Sequence, residues 1–166
     1  IIASMSRNTI YKYYRAFYHP ANMVIAVVGN INGEKVFERL ASYTGYQLQP
    51  GTPREAVAPR LSDGINLVPK DIEQLQICLG VPGIPYTDER RYTQNVMNSI
   101  LGGGISSHLF QKIREERGLA YNVYSYPSTY REAGTYTIYV GTGPGKVREF
   151  FALLRDELDR FIRVGV

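Results

Sequence analysis

The sequence predicts an α+β architecture: a mostly antiparallel sheet with its helices packed on one face. Three observations lead there. Beyond a stretch rich in Pro, Gly and small polar residues, the patterns run strand, strand, helix, helix, strand, strand, helix, an order met by antiparallel pairing with one-sided helices. Leu75, Ile77 and Leu79 alternate with Gln74, Gln76 and Cys78, the period-two signature of a strand with one buried face. Val147, Phe150, Phe151, Leu154, Leu158 and Phe161 form one apolar stripe on the last segment, as a helix lying on a sheet requires.

Taken in order, Ser6 caps a helix running to about Tyr18, with Ile10, Tyr13, Tyr14 and Phe17 at three-to-four spacing before His19-Pro20 stops it. Met23 to Val28 is an almost unbroken apolar run closed by Gly29-Asn30, which predicts a strand buried on both faces. Helical spacing returns from Gly33 to Tyr43. Residues 47–63 read as the boundary between a first unit, 1–46, and a second, 64–166. Ile65 to Val68 and Leu75 to Leu79 follow as strands. Asp88 caps a helix carrying Tyr92, Val96, Met97 and Ile100; the Gly102-Gly103-Gly104 loop comes next. A second helix runs from Ser106 or Ser107 to Arg117, where Gly118 ends it. Leu119–Thr129 and Gly134–Gly141 are the last two strands, joined at Arg131-Glu132-Ala133, and the long helix starts near Gly145.

Composition excludes more than it assigns. The 166 residues are 44% hydrophobic, enough for one ordinary domain or one domain and part of another. The 19 Lys and Arg against 15 Asp and Glu leave a formal charge of +4, but the basic residues are scattered, so neither nucleic acid nor an anionic membrane is indicated. No stretch approaches the ~20 apolar residues of a membrane span, and the first residues lack the charged-then-apolar order of a signal peptide. One cysteine, Cys78, gives no disulfide framework and suits a reducing compartment, the cytoplasm in the simplest reading. The sequence opens without Met and closes within a helical pattern, and is read as a fragment.

The candidate chemistry is sparse. His19 and His108 are the only histidines, and neither has a second His three or four residues away, so no zinc site is predicted within the chain. Gly102, Gly103 and Gly104 admit three readings: an anion cradle, a tight turn between helices, or a surface that lets a peptide backbone approach closely. The first fits poorly, because a phosphate loop follows a strand and ends in Gly-Lys-Ser/Thr, whereas Gly104 leads into Ile105-Ser106-Ser107. Arg114 and Tyr121 are seven residues apart, at the end of a helix and the start of a strand, with Gly118 at the corner. Both can face one cleft, where an arginine fork holds a carbonyl and a tyrosine hydroxyl donates to developing charge. The plain alternative is that Arg114-Glu115-Glu116-Arg117 is a solvated helix face with weak ion pairs.

The segment ILGGGISSHLFQKIREERGLAYNVYSY, from Ile100 to Tyr126, closely resembles the second-domain signature of pitrilysin-type (insulinase-like) metallopeptidases, in their processing-peptidase-like branch. YYRAFYHPANMVIAVVGNI, in residues 13–31, is similar to the end of the preceding homologous domain. The resemblance implies two α+β domains closing on a peptide. The first carries the inverted zinc motif His-x-x-Glu-His, which this chain does not contain. There zinc polarises the carbonyl and activates water, and a Glu of the first domain takes the proton. Residues 1–46 would close that zinc-bearing domain and 64–166 would form the substrate-binding one. The resemblance also implies that Arg114 and Tyr121 meet the substrate backbone, that Gly102, Gly103 and Gly104 form its glycine-rich loop, and that no residue here is catalytic. Zinc belongs to the parent protein, with ligands outside this chain. The implied partners are a peptide substrate and the zinc-bearing domain of the same chain or of another subunit. The family also contains members without zinc ligands that serve as non-catalytic or structural subunits, and the residues present leave that alternative open.

Overall fold

The structure, a computed structural model, describes residues 2–44, 51, 55–57 and 59–165. It divides into two compact units, Ile1–Ala56 and Val57–Val166. Much of the boundary expected over residues 47–63 lies outside the described residues.

In the first unit, α1 (Arg7–Phe17) begins where Ser6 Oγ accepts the Thr9 amide hydrogen at 3.1 Å. The predicted cap and stop are both present: the helix ends at Tyr18, ahead of a short 3₁₀ turn at Pro20–Asn22. Its aromatic residues meet at one-turn spacing, Tyr13 against Phe17 with ring centroids 4.6 Å apart and Tyr14 against Tyr18 at 5.1 Å. α2 (Gly33–Thr44) starts beyond Asn32, whose Oδ1 accepts the Lys35 amide hydrogen at 3.1 Å.

The central strand expected over Met23–Val28 is not formed. Those residues have no regular structure, and Val24 and Val28 are 97% and 96% exposed. An apolar run states that residues can be buried; a strand also needs a ladder partner, and the described residues of this unit include none. The same correction applies in the second unit to Ile65–Val68, which is irregular with Ile65 and Leu67 exposed.

The second unit is built on a three-stranded antiparallel sheet in the order β1–β3–β2, formed by β1 (Leu75–Gly83), β2 (Ala120–Thr129) and β3 (Gly134–Thr142). β2 and β3 make a hairpin whose turn is closed by the Tyr130 amide donating to the Ala133 carbonyl at 2.8 Å. Alternation sorts the strands by face: Tyr136, Ile138 and Val140 of β3 and Val123 of β2 point into the core. Onto this face pack Leu101 of α3 (Arg91–Leu101), Leu109 and Ile113 beyond it, and Phe150 and Leu154 of α4 (Val147–Val164). This is the predicted α+β arrangement. On the opposite face Tyr124 stacks on Tyr139 with centroids 4.8 Å apart, beside Tyr126 and the exposed Cys78. Partial desolvation, with Tyr139 beside it, raises the Tyr124 phenol above its ordinary range.

Two details depart from the pattern. α3 turns Gln94, Met97 and Leu101 inward and leaves Tyr92 and Val96 exposed. Both sets have helical spacing, and contact with the sheet selects one of them. The expected helix over 106–117 is regular only at its start; Phe110–Glu115 is π-helical, with the Glu116 amide donating to the Gln111 carbonyl five residues back at 2.9 Å.

Candidate functional site

The two predicted site residues stand on two local irregularities. Arg114 lies in the π-helical turn. Tyr121 lies in a β-bulge: Ala120 pairs with Thr142 and Asn122 with Gly141, so two steps along β2 oppose one step along β3, and Tyr121 is the extra residue. A bulged residue escapes the strict alternation of the strand, and Tyr121 is 67% exposed. Between the two, Gly118 adopts the left-handed conformation, φ +58°, which ends the helical segment as the sequence predicts. The corner is held from several sides. The Gly118 amide donates to the Arg114 carbonyl at 3.0 Å and the Leu119 amide to that of Ile113 at 2.9 Å. Lys146 Nζ donates to the Gly118 carbonyl at 2.7 Å, and the buried Thr142 hydroxyl to that of Leu119 at 2.6 Å.

These constraints bring Arg114 and Tyr121 into contact. The guanidinium carbon of Arg114 is 5.2 Å from the centroid of the Tyr121 ring and 4.6 Å from that of Phe110. Such cation–π contacts contribute about 0.5–1 kcal/mol each at exposed sites, and two together restrict a long side chain. Arg114 Nε also lies 3.6 Å from Glu115 Oε1, a loose pair between partly exposed groups. Lys112 meanwhile pairs with Glu116 at 2.6 Å, so the solvated-face reading describes the neighbours of Arg114 better than Arg114 itself. Arg114, Gly118, Tyr121 and Lys146 line a cavity of about 530 Å³ that also includes Glu73 and Gln74. Its guanidinium and phenol are hydrogen-bond donors suited to a peptide carbonyl.

The glycine loop is a turn tied to both neighbours. The Gly102 and Gly103 amides donate to the Asn98 carbonyl at 2.9 and 2.7 Å, closing α3, and the Gly102 carbonyl accepts the Ser125 amide hydrogen at 2.9 Å, joining the loop to β2. Beneath it is a polar knot: the Tyr136 hydroxyl donates to Ser125 Oγ at 2.8 Å and lies 3.0 Å from Asn98 Oδ1, which accepts from Ser125 Oγ at 2.9 Å. Burial raises the Tyr136 phenol above its ordinary range, which keeps it a donor. A second cavity, of about 190 Å³, lies beside the loop and is lined by Gly102 to Ile105, Phe110 and residues 122–124.

Sequence reasoning did not single out Phe110, Lys146 or the Asn98–Ser125–Tyr136 knot. Phe110 had a usable signal, since it precedes Arg114 by one helical turn. Lys146 and Tyr136 are brought in by topology alone.

The described residues do not offer a zinc donor set: no three of His, Cys, Asp and Glu come together among them. His108 Nδ1 instead lies 3.1 Å from the Arg160 guanidinium, which donates to the buried Glu157 carboxylate at 2.9 Å. Among the described residues no helix is long and apolar enough to cross a membrane.

The chain is similar along its whole length to known proteins. An uncharacterized zinc protease of Streptomyces coelicolor is 37% identical, with the match covering 99% of this chain and 38% of that protein. The uncharacterized zinc protease YmxG of Bacillus subtilis is 34% identical over 99% of this chain and 40% of its own length. This chain thus spans about two fifths of these relatives. The crystal structure of a peptidase M16 inactive domain from Pseudomonas fluorescens superposes with a TM-score of 0.78 at 25% identity, over 99% of this chain and 40% of that one. The family described as the peptidase M16 inactive domain matches residues 4–166, and this chain belongs to that family.

Proposed function

We propose that this chain is the peptide-holding half of a zinc-dependent peptidase. Arg114 and Tyr121 hold the backbone of an extended peptide, and the loop Gly102–Gly104 borders its path. The zinc and the catalytic groups belong to a companion domain, in the same chain or in a partner subunit.

The observation that carries this reading is the convergence of Arg114 and Tyr121 at one cavity, each lifted out of regular secondary structure. A guanidinium held between two rings loses less freedom when it binds a carbonyl than one free in solvent. The names of the relatives supply the zinc-protease context. In this reading the contribution of this chain is positioning.

The test is peptide cleavage by the full-length protein, comparing Arg114→Ala and Tyr121→Phe with the wild type. Both variants are expected to lose activity with the protein still folded. Unchanged cleavage by both would sink the assignment. Metal analysis of the isolated chain adds a second check, since one tightly held zinc per chain contradicts the division of labour. Peptide binding without cleavage by the full-length protein would instead place the parent among the non-catalytic subunits.

A further inference from the structure

The cavity at Arg114 carries more positive charge than a peptide backbone calls for. A backbone carbonyl is neutral, and the Arg114 fork and the Tyr121 hydroxyl already supply donors for it. Lys146 brings a second cation to the same lining. Its ammonium donates to the Gly118 carbonyl at 2.7 Å, which holds it at the corner and engages one of its three donor hydrogens.

Neither cation has a close anion. Among the described residues Lys146 forms no ion pair, and Arg114 forms only the loose 3.6 Å contact with Glu115. Glu73 is the single carboxylate of the cavity lining, and among the described residues it pairs with neither cation. Two cations against one carboxylate leave an excess of positive charge in a concave surface, which concentrates the field and draws anions to it.

The rest of the lining leaves room around the cations. Gly118, Ala120, Gly141 and Gly143 contribute backbone or a single methyl, and a Cβ on Gly118 or Gly143 would meet nothing within 4 Å. Lys146 is exposed, so a carboxylate bound to it keeps part of its hydration and escapes most of the desolvation that penalises buried ion pairs.

We propose that Lys146 and Arg114 form a carboxylate-binding subsite, which takes an acidic side chain or the C-terminal carboxylate of the bound peptide. The proposal rests on the peptide-holding reading above and adds a specificity-determining residue to it. Arg114 and Tyr121 hold any peptide backbone; Lys146 adds a charge-assisted hydrogen bond when the peptide presents an anion there.

The experiment uses the full-length protein and peptides of one sequence, carrying Glu or Gln at a single position scanned along the length, each with a free or an amidated C-terminus. Dissociation constants are measured at low and at physiological salt, with KM and kcat where cleavage occurs. The wild type is expected to favour Glu over Gln at one position, or the free over the amidated terminus, by about five- to tenfold at low salt, and by less as salt is added. The first result assigns the subsite to an acidic side chain and the second to the terminal carboxylate. Lys146→Met is expected to bring the ratio down toward one, Lys146→Arg to preserve it, and Glu73→Gln to raise it. Absence of any preference for a carboxylate overturns the subsite. So does a ratio unaltered in Lys146→Met or, should that variant fail to fold, in Glu73→Gln. Arg114→Ala is expected to weaken the neutral peptide, with Gln and an amidated end, as well. If that peptide binds Arg114→Ala as it binds the wild type while Lys146→Met still lowers the ratio, the backbone role of Arg114 fails and the subsite stands.

Discussion

The guanidinium of Arg114 lies between two aromatic rings, and the nearer, at 4.6 Å, belongs to Phe110 rather than to Tyr121. This relationship decides how Arg114 substitutions behave. Lysine keeps the charge but lacks the flat fork that stacks on a ring and grips a carbonyl. Arg114→Lys is therefore expected to behave like Arg114→Ala, with kcat/KM for peptide cleavage by the full-length protein down about ten- to a hundredfold, or roughly 1.4–2.7 kcal/mol. Steady-state kinetics check this, and near wild-type activity in Arg114→Lys would show that charge alone suffices.

The glycines separate by a stability measurement. Gly118→Ala forces a left-handed backbone on an L residue and is expected to cost about 1–2 kcal/mol. Gly102→Ala is expected to cost more, because its new methyl meets the backbone of Ser125. Gly104→Ala should stay within about 0.5 kcal/mol of wild type. Urea unfolding gives the order directly, and a Gly104→Ala as damaging as Gly102→Ala would contradict the open space at that position.

Tyr136→Phe leaves the ring in the core and removes the hydroxyl that donates to Ser125 and lies beside Asn98. A loss of about 1–3 kcal/mol is expected, since the remaining buried groups keep part of their bonding unmet. The denaturation midpoint should fall with an unchanged slope. A midpoint equal to wild type would mean that Asn98 and Ser125 satisfy each other without it.

Acid stability carries the mark of Asp88. Arg90 donates from its guanidinium and its backbone to this carboxylate, which lowers the Asp88 pKa from 3.8 to about 2. The folded pKa lies below the unfolded one, so the contribution is complete above about pH 4 and disappears as the pH falls toward about 2. Asp88→Asn should flatten the stability curve in that window and leave its shape at neutral pH alone. The Asp88 carboxylate is partly exposed and its partner Arg90 is exposed, so added salt should shrink the effect. A wild-type curve already flat between pH 4 and 2 would rule the pair out as a contributor.

Much of the second unit was legible because its signals are local. Alternation marked β1, a stripe marked α4, and Gly118 marked the corner. Arg114 and Tyr121 could be paired by spacing, because a helix end, a glycine and a strand start define a short path. The Met23–Val28 and Ile65–Val68 runs misled for one reason: hydrophobicity records a capacity for burial, and pairing is a property of the partner. The face of α3 was ambiguous because two stripes of equal spacing compete and only the sheet chooses between them. Lys146, 28 residues beyond Gly118, reaches its carbonyl through the β2–β3 hairpin, and no pattern within a helix or strand encodes that.

A π-helical turn and a β-bulge each accommodate one residue more than regular geometry needs. The Arg114–Tyr121 corner is thus written as two insertions on an otherwise ordinary framework, and it can be erased the same way. Removing one residue from Phe110–Glu115 takes out the extra residue that the π turn accommodates and restores α-helical hydrogen bonding; removing Tyr121 restores an unbroken ladder. A chain shortened at both places is expected to keep its core and lose its hold on peptide, which circular dichroism and peptide binding would register separately.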